Sequence, residues 1–294
     1  MGSGGRRLLF IAVCAAAAMP FVPLAHASTY TDQSPPGAND WSCKPTTAHP
    51  RPLVLVHGLG ATAAENWNYL SPILEADGYC VYALTYGVDS RYPYMGGVIA
   101  MEQSSHELDA FVHRVLTATG AAQVDLVGHS EGTVMPQYWL WKLGGAPLVH
   151  EYVALTPLYD GTTFNGIASL ESYDQGGAFA QFASGYCGSC LEFIKGSPFL
   201  TDLYRNGVAA PGVHYTTIMT THDELVTPYT SGNLDSPQAT NIVIQNVCPN
   251  DLSEHGALAF DPVAARLVQN ALDPSTAVAP TCGQTGIVFA ELVL

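Results

Sequence analysis

A serine stands between two glycines in the segment Gly-His-Ser-Glu-Gly at 128–132. The apolar run 124–127 precedes this segment, and residues with a helical pattern follow it. A side chain can be held at the tip of a sharp strand-to-helix turn only in a strained backbone conformation, and glycines at Gly128 and Gly132 avoid the clashes of such a turn. The pattern therefore predicts an elbow that presents Ser130 at the end of a buried strand.

The rest of the chain alternates short apolar runs with helical patterns, which is typical of a parallel sheet with helices on both faces. We therefore predict an α/β fold with a mostly parallel central sheet. The predicted strands are 53–56, 80–84, 124–127, 152–155, 213–220 and 242–247. The predicted helices are 66–77, 97–119, 130–143 and 261–272. Pro136 is expected to remove one backbone hydrogen bond from its helix and to bend it.

Residues 157–211 interrupt this alternation. The interval combines many glycines and serines with large apolar side chains, among them Phe164, Phe179, Phe193 and Leu203. A structureless loop of this length is uncommon inside a compact domain. We therefore predict one domain over 28–294 that carries an inserted cap or lid at about 157–211.

A serine hydroxyl is a weak nucleophile unless a histidine takes its proton and an acid orients that histidine. In folds with this elbow, the chain order is serine, acid, histidine. We choose His255 as the base because it lies between the last predicted strand and the last predicted helix, at the carboxyl edge of the sheet where the reacting groups must meet. The other histidines after the serine are His150, His214 and His222.

Asp223 is the best candidate for the acid, since it directly follows a predicted strand and so leaves the sheet at the same edge as Ser130. Asp160 also follows a strand and is the second choice. Asp251 and Glu254 lie close to the histidine in sequence, and such neighbours on a loop seldom face each other correctly. The choice rests on placement, because any single carboxylate can also be a solvated loop charge.

Attack on a carbonyl group creates an oxyanion, which backbone N–H groups can stabilise by roughly 3 to 4 kcal/mol each. One donor is expected at Glu131, the residue after the serine. The other is expected in the turn after the strand 53–56, where His-Gly-Leu-Gly occupies 57–60 and where we choose Leu59. Only the main chain of these two residues is required.

The N-terminus has the three parts of a secretory signal: Arg6 and Arg7, an apolar run at 8–19, and Ala-His-Ala at 25–27. The apolar run is shorter than the roughly 20 residues of a spanning helix, and Pro20 ends it. We predict a signal peptide at 1–27 and a secreted mature chain without a membrane-spanning segment. The alternative is a membrane anchor.

Six cysteines follow the predicted signal, an even number that favours three disulfides in an oxidising compartment, and six cysteines allow 15 pairings. Closeness in sequence and strand positions favour Cys187 with Cys190, Cys43 with Cys80, and Cys248 with Cys282. The segment Cys-Gly-Ser-Cys at 187–190 is also compatible with a redox pair or half of a zinc site, but no second motif of this kind completes a metal site.

Composition excludes several functions. The chain is 48% hydrophobic and 12% charged, so it is expected to fold. Without Arg6 and Arg7, eight basic residues face 25 acidic ones, and the net charge of −17 repels phosphate backbones and anionic membranes. We therefore expect no nucleic-acid partner. The sequence has no dinucleotide fingerprint, phosphate cradle or metal cluster, so we expect no cofactor and no metal at the site, while a structural calcium ion and the oligomeric state stay open.

Taken together, these residues resemble the α/β-hydrolase superfamily and, within it, the secreted bacterial lipases known as class 2. The matching stretches are 53–60, 125–132, 215–229 and 248–262. The resemblance implies hydrolysis of carboxylic esters by Ser130, Asp223 and His255, with oxyanion donors at Leu59 and Glu131. One departure is the acidic side chain of Glu131, where related lipases often have glutamine or another neutral residue. A carboxylate next to a developing oxyanion opposes its formation unless the side chain points away or is neutralised.

The apolar side chains of the predicted cap favour a lipid ester as substrate. We expect acylglycerols or other medium- to long-chain acyl esters, with a short-chain esterase or a polyester hydrolase as the alternatives. An alternative of another class is a hydrolase-fold protein that binds ligands without catalysis.

Overall fold

The computed structural model describes residues 33–166 and 185–283. Its strands are β1 Leu53–Val56, β2 Val81–Leu84, β3 Val124–His129, β4 Val149–Leu155, β5 His214–Met219 and β6 Ala239–Val243. Its helices are α1 Ala63–Trp67, α2 Leu70–Ala76, α3 Met101–Thr119, α4 Met135–Lys142, α5 Pro198–Leu203, α6 Ile244–Val247 and α7 Pro262–Leu272. The predicted signal peptide at 1–27 and part of the predicted cap, 167–184, lie outside the described residues.

The six strands form one parallel sheet in the order β2-β1-β3-β4-β5-β6, which confirms the predicted α/β fold. The chain runs outward from β1 to β2 and then returns to the other side of β1 to form β3. The strand order therefore reverses between β1 and β3, and open parallel sheets bind ligands beyond the carboxyl ends of the strands at such a point.

Both faces of the sheet are buried, because side chains alternate along each strand between two apolar clusters. On β1, Val54 and Val56 belong to the cluster that includes residues of α3 and α4. Leu53 and Leu55 belong to the cluster that includes residues of α1, α2 and α7. Helices cover both faces of the sheet, as predicted. Across 33–166 and 185–283, no helix combines the length and the apolar character that crossing a membrane requires.

The predicted helix at 66–77 is in fact two short helices, α1 and α2. Thr62 caps α1: its hydroxyl accepts a hydrogen bond from the N–H of Glu65 at 3.2 Å, and the Glu65 carboxylate accepts one from the N–H of Thr62 at 2.9 Å. Thr-Ala-Ala-Glu at 62–65 is the sequence pattern of such a capping box, so the earlier start of the helix was readable from the sequence.

The prediction that Pro136 bends a long helix is wrong. A 3-10 turn covers Ser130–Thr133, and Pro136 lies in the first turn of α4, which begins at Met135. The N–H groups of a first turn have no acceptor within the helix, so a proline costs no hydrogen bond there.

The predicted strand 242–247 is wrong in its second half. Strand β6 pairs with β5 up to Val243 beside Met219, and the following residues form α6. The N–H of Cys248 then donates to the carbonyl of Ile244 at 2.8 Å, which closes this helical turn. The apolar run therefore continues past the end of the sheet into a helix.

Three disulfides join Cys43 to Cys80, Cys187 to Cys190 and Cys248 to Cys282, which are the pairs expected from the sequence. The first and the third close loops of 37 and 34 residues. In the chain-entropy view, a cross-link of this span stabilises the folded protein by about 4 kcal/mol, because it restricts the unfolded chain.

The described parts of the predicted cap pack onto the domain. Phe193, Leu200 and Leu203 are buried in the same cluster as residues of α3 and α4. A single parallel bridge joins Thr162 to Ile194. Burial of these side chains accounts for part of the apolar content at 157–211, and the bounds of the cap stay a prediction.

Candidate active site

Three loops at the carboxyl edge of the sheet bring Ser130, Asp223 and His255 together. Ser130 directly follows β3, Asp223 follows β5, and His255 lies between α6 and α7. Because all six strands are parallel, their carboxyl ends lie at one edge, so residues about 125 positions apart in sequence become neighbours.

The glycines of the elbow are required by close backbone contacts. Ser130 has a φ of 55°, in the left-handed region that a non-glycine residue rarely adopts. A Cβ atom at Gly128 would lie 2.1 Å from the carbonyl oxygen of Gly132, and one at Gly132 would lie 2.1 Å from that of Val56. Neither position can therefore carry a side chain without moving the backbone.

A chain of hydrogen bonds links the three side chains. His255 Nε2 lies 2.8 Å from Ser130 Oγ, and His255 Nδ1 lies 3.0 Å from each carboxylate oxygen of Asp223. The side chains of His255 and Asp223 are only 5% and 2% exposed. With the Nδ1 proton held by Asp223, the lone pair of Nε2 faces the serine hydroxyl, as a general base requires.

The surroundings of His255 favour its protonated form. Burial lowers the pKa of His255, but the negative charge of Asp223, its hydrogen bond, and the charges of Glu224 and Glu254 together outweigh burial and raise the pKa above its usual value. Glu224 also accepts a hydrogen bond from the N–H of His255 at 3.2 Å. The carboxylates around His255 therefore stabilise its imidazolium form.

We expect kcat/KM for ester hydrolysis to rise with pH through a midpoint above about 6.5, because His255 must be neutral in the free protein to accept the serine proton. Because the pKa of His255 is raised, activity is lost on acidification at a higher pH than it would be with an unperturbed histidine. Glu224→Gln removes one negative charge and should lower this midpoint, whereas His222→Gln should leave it unchanged. A midpoint below 6.5 in the unchanged protein would contradict the raised pKa of His255, and a kcat/KM that does not fall on acidification would contradict the assignment of His255 as the base.

Sequence reasoning missed a second histidine, His129, which lies inside the elbow. Its Nε2 lies 3.0 Å from the carbonyl oxygen of His255, and its Nδ1 lies 2.9 Å from the side-chain oxygen of Asn66. Burial, followed by the nearby charge of His255, lowers the pKa of His129 to about 3, so the ring is neutral. With the single proton of the neutral ring on Nε2, His129 donates to the carbonyl of His255 and holds this backbone beside Ser130. Its position between Gly128 and Ser130 was the available signal.

The two chosen oxyanion donors border the same cleft. The turn after β1 lies against the elbow, since a Cβ atom at Gly58 would be 3.1 Å from the Cβ of Ser130. Leu59 and Glu131 both line the cleft in front of the serine. Among the described residues, neither of their N–H groups has a hydrogen-bond acceptor, so their assignment as donors stays a prediction compatible with this placement.

The alternative residues lie elsewhere. His150 and His214 are at the amino edge of the sheet, with ring centroids 5.4 Å apart. Asp160 is 65% exposed and pairs with Lys195. Asp251 accepts a hydrogen bond from the N–H of Ser253 at 2.9 Å and is turned into its own loop.

A mostly apolar cleft of about 230 Å³ opens above Ser130 and His255. Its apolar walls come from the loop after β5 and from the described parts of the predicted cap after β4: Leu158, Phe164, Phe193, Leu225 and Val226. A carbonyl carbon placed at the serine would therefore have its hydrocarbon substituent in contact with apolar side chains.

Comparison with solved structures shows the same fold. Aspergillus fumigatus lipase B aligns with a TM-score of 0.63 and 16% sequence identity, over 84% of this chain and 57% of that one. A Bacillus licheniformis lipase in its mature form aligns with a TM-score of 0.51 and 18% identity, over 68% of this chain and 85% of that one. At this level of identity, the likeness is one of fold alone.

Comparison of sequences is more specific. A triacylglycerol lipase from Burkholderia plantarii is 30% identical over 126 residues, which is 41% of this chain but only 33% of that protein, so the match spans about a third of its length. The model of the family described as Lipase (class 2) matches residues 50–268, which include all three loops of the site. The chain therefore belongs to the class 2 lipase family.

Proposed function

We propose that this protein is a secreted serine hydrolase that cleaves carboxylic esters, with acylglycerols or other medium- to long-chain acyl esters as its substrates. The observation that carries the proposal is the hydrogen-bonded series Ser130, His255 and Asp223 beneath an apolar cleft. Membership of the class 2 lipase family supports the reaction type. The predicted signal at 1–27 and the three disulfides support export.

The proposed reaction has two halves. His255 Nε2 takes the proton of Ser130 as Oγ attacks the ester carbonyl, and the N–H groups of Leu59 and Glu131 stabilise the oxyanion. The intermediate collapses when His255 returns the proton to the leaving alcohol, which leaves an acyl group on the serine. Water, deprotonated by His255, then attacks the acyl-enzyme, and as the bond to Oγ breaks His255 returns the proton to Ser130, which releases the carboxylic acid and the free serine.

Labelling with a fluorophosphonate probe tests the proposed nucleophile. We expect the folded protein to be labelled once, at Ser130, and labelling to disappear in Ser130→Ala. Ser90→Ala, at an exposed serine, is a control that keeps the elbow serine and should still be labelled. A folded protein that resists the probe would favour a hydrolase-fold protein that binds ligands without catalysis.

A short-chain esterase is the second candidate. The cleft bounded by the described residues has a volume of about 230 Å³, below the roughly 300 Å³ at which most small-molecule sites begin. Rates on p-nitrophenyl esters of increasing chain length, with and without emulsified triacylglycerol, separate the two candidates. A maximum at medium or long chains supports the lipase, and a maximum at two to four carbons, without hydrolysis of the emulsion, supports the esterase.

A further inference from the structure

Asp223 and His255 both lie in loops, outside the helices and strands. The acid loop, 220–228, follows β5, and the base loop, 248–256, follows α6. His255 Nδ1 must stay within reach of Asp223 while Nε2 faces Ser130, as they do at 3.0 and 2.8 Å. Misplacement of a reacting group by about 1 Å can cost roughly 100-fold in rate. Contacts that fix one loop against the other can therefore control turnover without touching the substrate.

A buried threonine joins the two loops directly. Thr220, three residues before Asp223, is fully buried. Its hydroxyl donates a hydrogen bond to the carbonyl of Ser253 at 2.7 Å, and Ser253 lies two residues before His255. This hydrogen bond therefore ties the acid loop to the base loop close to the two side chains that must stay in contact.

The oxygen of the Thr220 hydroxyl is also an acceptor. It accepts a hydrogen bond from the N–H of His222 at 3.2 Å and another from the side-chain NH₂ of Gln245 at 2.8 Å. A threonine hydroxyl has one proton to donate and two lone pairs to accept with, so Thr220 uses its full capacity. A buried polar group whose hydrogen bonds are all made holds its neighbours in one arrangement.

Gln245, in α6, makes a second connection between the same loops. Its amide oxygen accepts a hydrogen bond from the N–H of Thr221 in the acid loop at 2.9 Å. Its NH₂ group donates to the carbonyl of Asp251 in the base loop at 3.2 Å, besides its bond to Thr220. We call the side chains of Thr220 and Gln245, with the carbonyls of Asp251 and Ser253 that they bind, the loop bridge.

The base loop is in turn anchored to the helix that follows it. A carboxylate oxygen of Asp251 accepts from the N–H of Ser253 at 2.9 Å, and the hydroxyl of Ser253 donates to Asp261 at 2.7 Å. Asp261 caps α7, where its other carboxylate oxygen accepts from the N–H of Ala264 at 2.7 Å. Asp251, Ser253 and Asp261 are all buried. Buried polar groups therefore connect the end of β5, through the loop bridge, to the start of α7.

We propose that Thr220 is a positioning residue: its hydroxyl, at the centre of the loop bridge, holds the acid loop against the base loop, so that Asp223 stays in contact with His255 while the histidine takes up and returns the serine proton. This inference rests on the proposed ester hydrolysis. Thr220 does not line the cleft, so it acts through the acid and the base rather than on the substrate.

The first test replaces Thr220 by valine, which has nearly the same volume but no hydroxyl. We expect kcat on a p-nitrophenyl ester to fall roughly 10- to 100-fold with KM within about twofold, because the base is displaced while the cleft is unchanged. Thr220→Ser keeps the hydroxyl and should retain most of the turnover. Thr217→Val is the matched control, because Thr217 is equally buried on β5 but its hydroxyl donates to Asn241 of β6 at 2.9 Å, and it should leave kcat unchanged.

The pKa of His255 separates positioning from a simple loss of stability. The titratable groups around its ring come from the acid loop, the base loop and the elbow: Asp223, Glu224, Glu254 and His129. The charge and the hydrogen bond of Asp223 raise this pKa, so a looser contact in Thr220→Val should lower it. A variant that is only less stable keeps the pKa of its folded form, so Thr217→Val should titrate like the unchanged protein. NMR signals of the imidazole followed against pH measure this pKa, and the midpoint of kcat/KM against pH measures it through activity.

A second variant breaks the loop bridge at its other side chain. Gln245→Met keeps the bulk of the half-buried Gln245 but loses its hydrogen bonds to Thr220 and Asp251. It should lower kcat and the pKa of His255 in the same direction as Thr220→Val, and the double variant should lose little more, because both changes act on one contact between the loops. This variant decides the question even if Thr220→Val does not fold.

Two outcomes would overturn the role of Thr220 and leave the proposed function in place. One is an unchanged protein that hydrolyses esters while Thr220→Val, or Gln245→Met in its stead, keeps both kcat and the pKa of His255. The other is a Thr220→Ser variant as impaired as Thr220→Val, which would show that the hydroxyl is not what matters. An unchanged protein that neither hydrolyses esters nor reacts with the fluorophosphonate probe contradicts the proposed function itself, and the role of Thr220 in that reaction with it.

Discussion

Replacing Asp223 by asparagine is expected to lower kcat about 10⁴-fold while the protein stays folded. Oδ1 of Asp223 accepts hydrogen bonds from the N–H groups of Leu225 and Val226 at 3.0 and 2.7 Å, and the carbonyl oxygen of asparagine can keep both. The amide NH₂ then faces His255 Nδ1 and selects the tautomer that carries its proton on Nε2. In that tautomer the histidine cannot take the proton of Ser130.

Asp160→Asn is the matched control, since Asp160 also follows a strand but lies exposed beside Lys195. It should retain nearly full kcat on a p-nitrophenyl ester, and both variants should unfold thermally close to the unchanged protein. Near-normal turnover in Asp223→Asn together with a large loss in Asp160→Asn would assign the acid to Asp160.

The sequence is sufficient to predict the elbow and its serine because part of the pattern is local. Gly128 is required by a contact within the turn, with the carbonyl oxygen of Gly132, and the apolar strand before it provides the context. Gly132 is required by its contact with Val56 of β1, which the local pattern does not show. The placement of Asp223 and His255 followed from one further rule, that the carboxyl ends of parallel strands lie at one edge of a sheet. These two residues were chosen from chain order and position, and the structure places His255 beside the serine and Asp223 beside His255.

The remaining features depend on packing between distant segments. The contact of His129 with Asn66 joins residues 63 positions apart, and the burial of Glu131 depends on Gly97 and Ser189. No local pattern encodes which way a side chain turns from the elbow. The break between α1 and α2 and the first-turn position of Pro136 were missed for another reason, since apolar periodicity locates a helix better than it locates its ends.

Replacing Gly132 by alanine is expected to destabilise the protein by about 3 kcal/mol or more. The added Cβ atom would lie 2.1 Å from the carbonyl oxygen of Val56 and 2.5 Å from that of His57. Both oxygens belong to the main chain at the end of strand β1, so no change of side-chain conformation can relieve the contact. The elbow must instead move away from β1, which also separates Ser130 from the turn at Leu59.

The thermal midpoint should fall by roughly 6 to 12 °C for a domain of this size, and the variant that remains folded should lose most of its turnover. Gly185→Ala is the matched control, because an added Cβ atom there meets no atom of the described residues within 4 Å, and it should leave both quantities unchanged. If Gly132→Ala unfolded at the same temperature as the unchanged protein, β1 and the elbow could not be in the close contact described here. The proposed oxyanion donor at Leu59 would then lose support, because that proposal depends on the turn after β1 lying against the elbow.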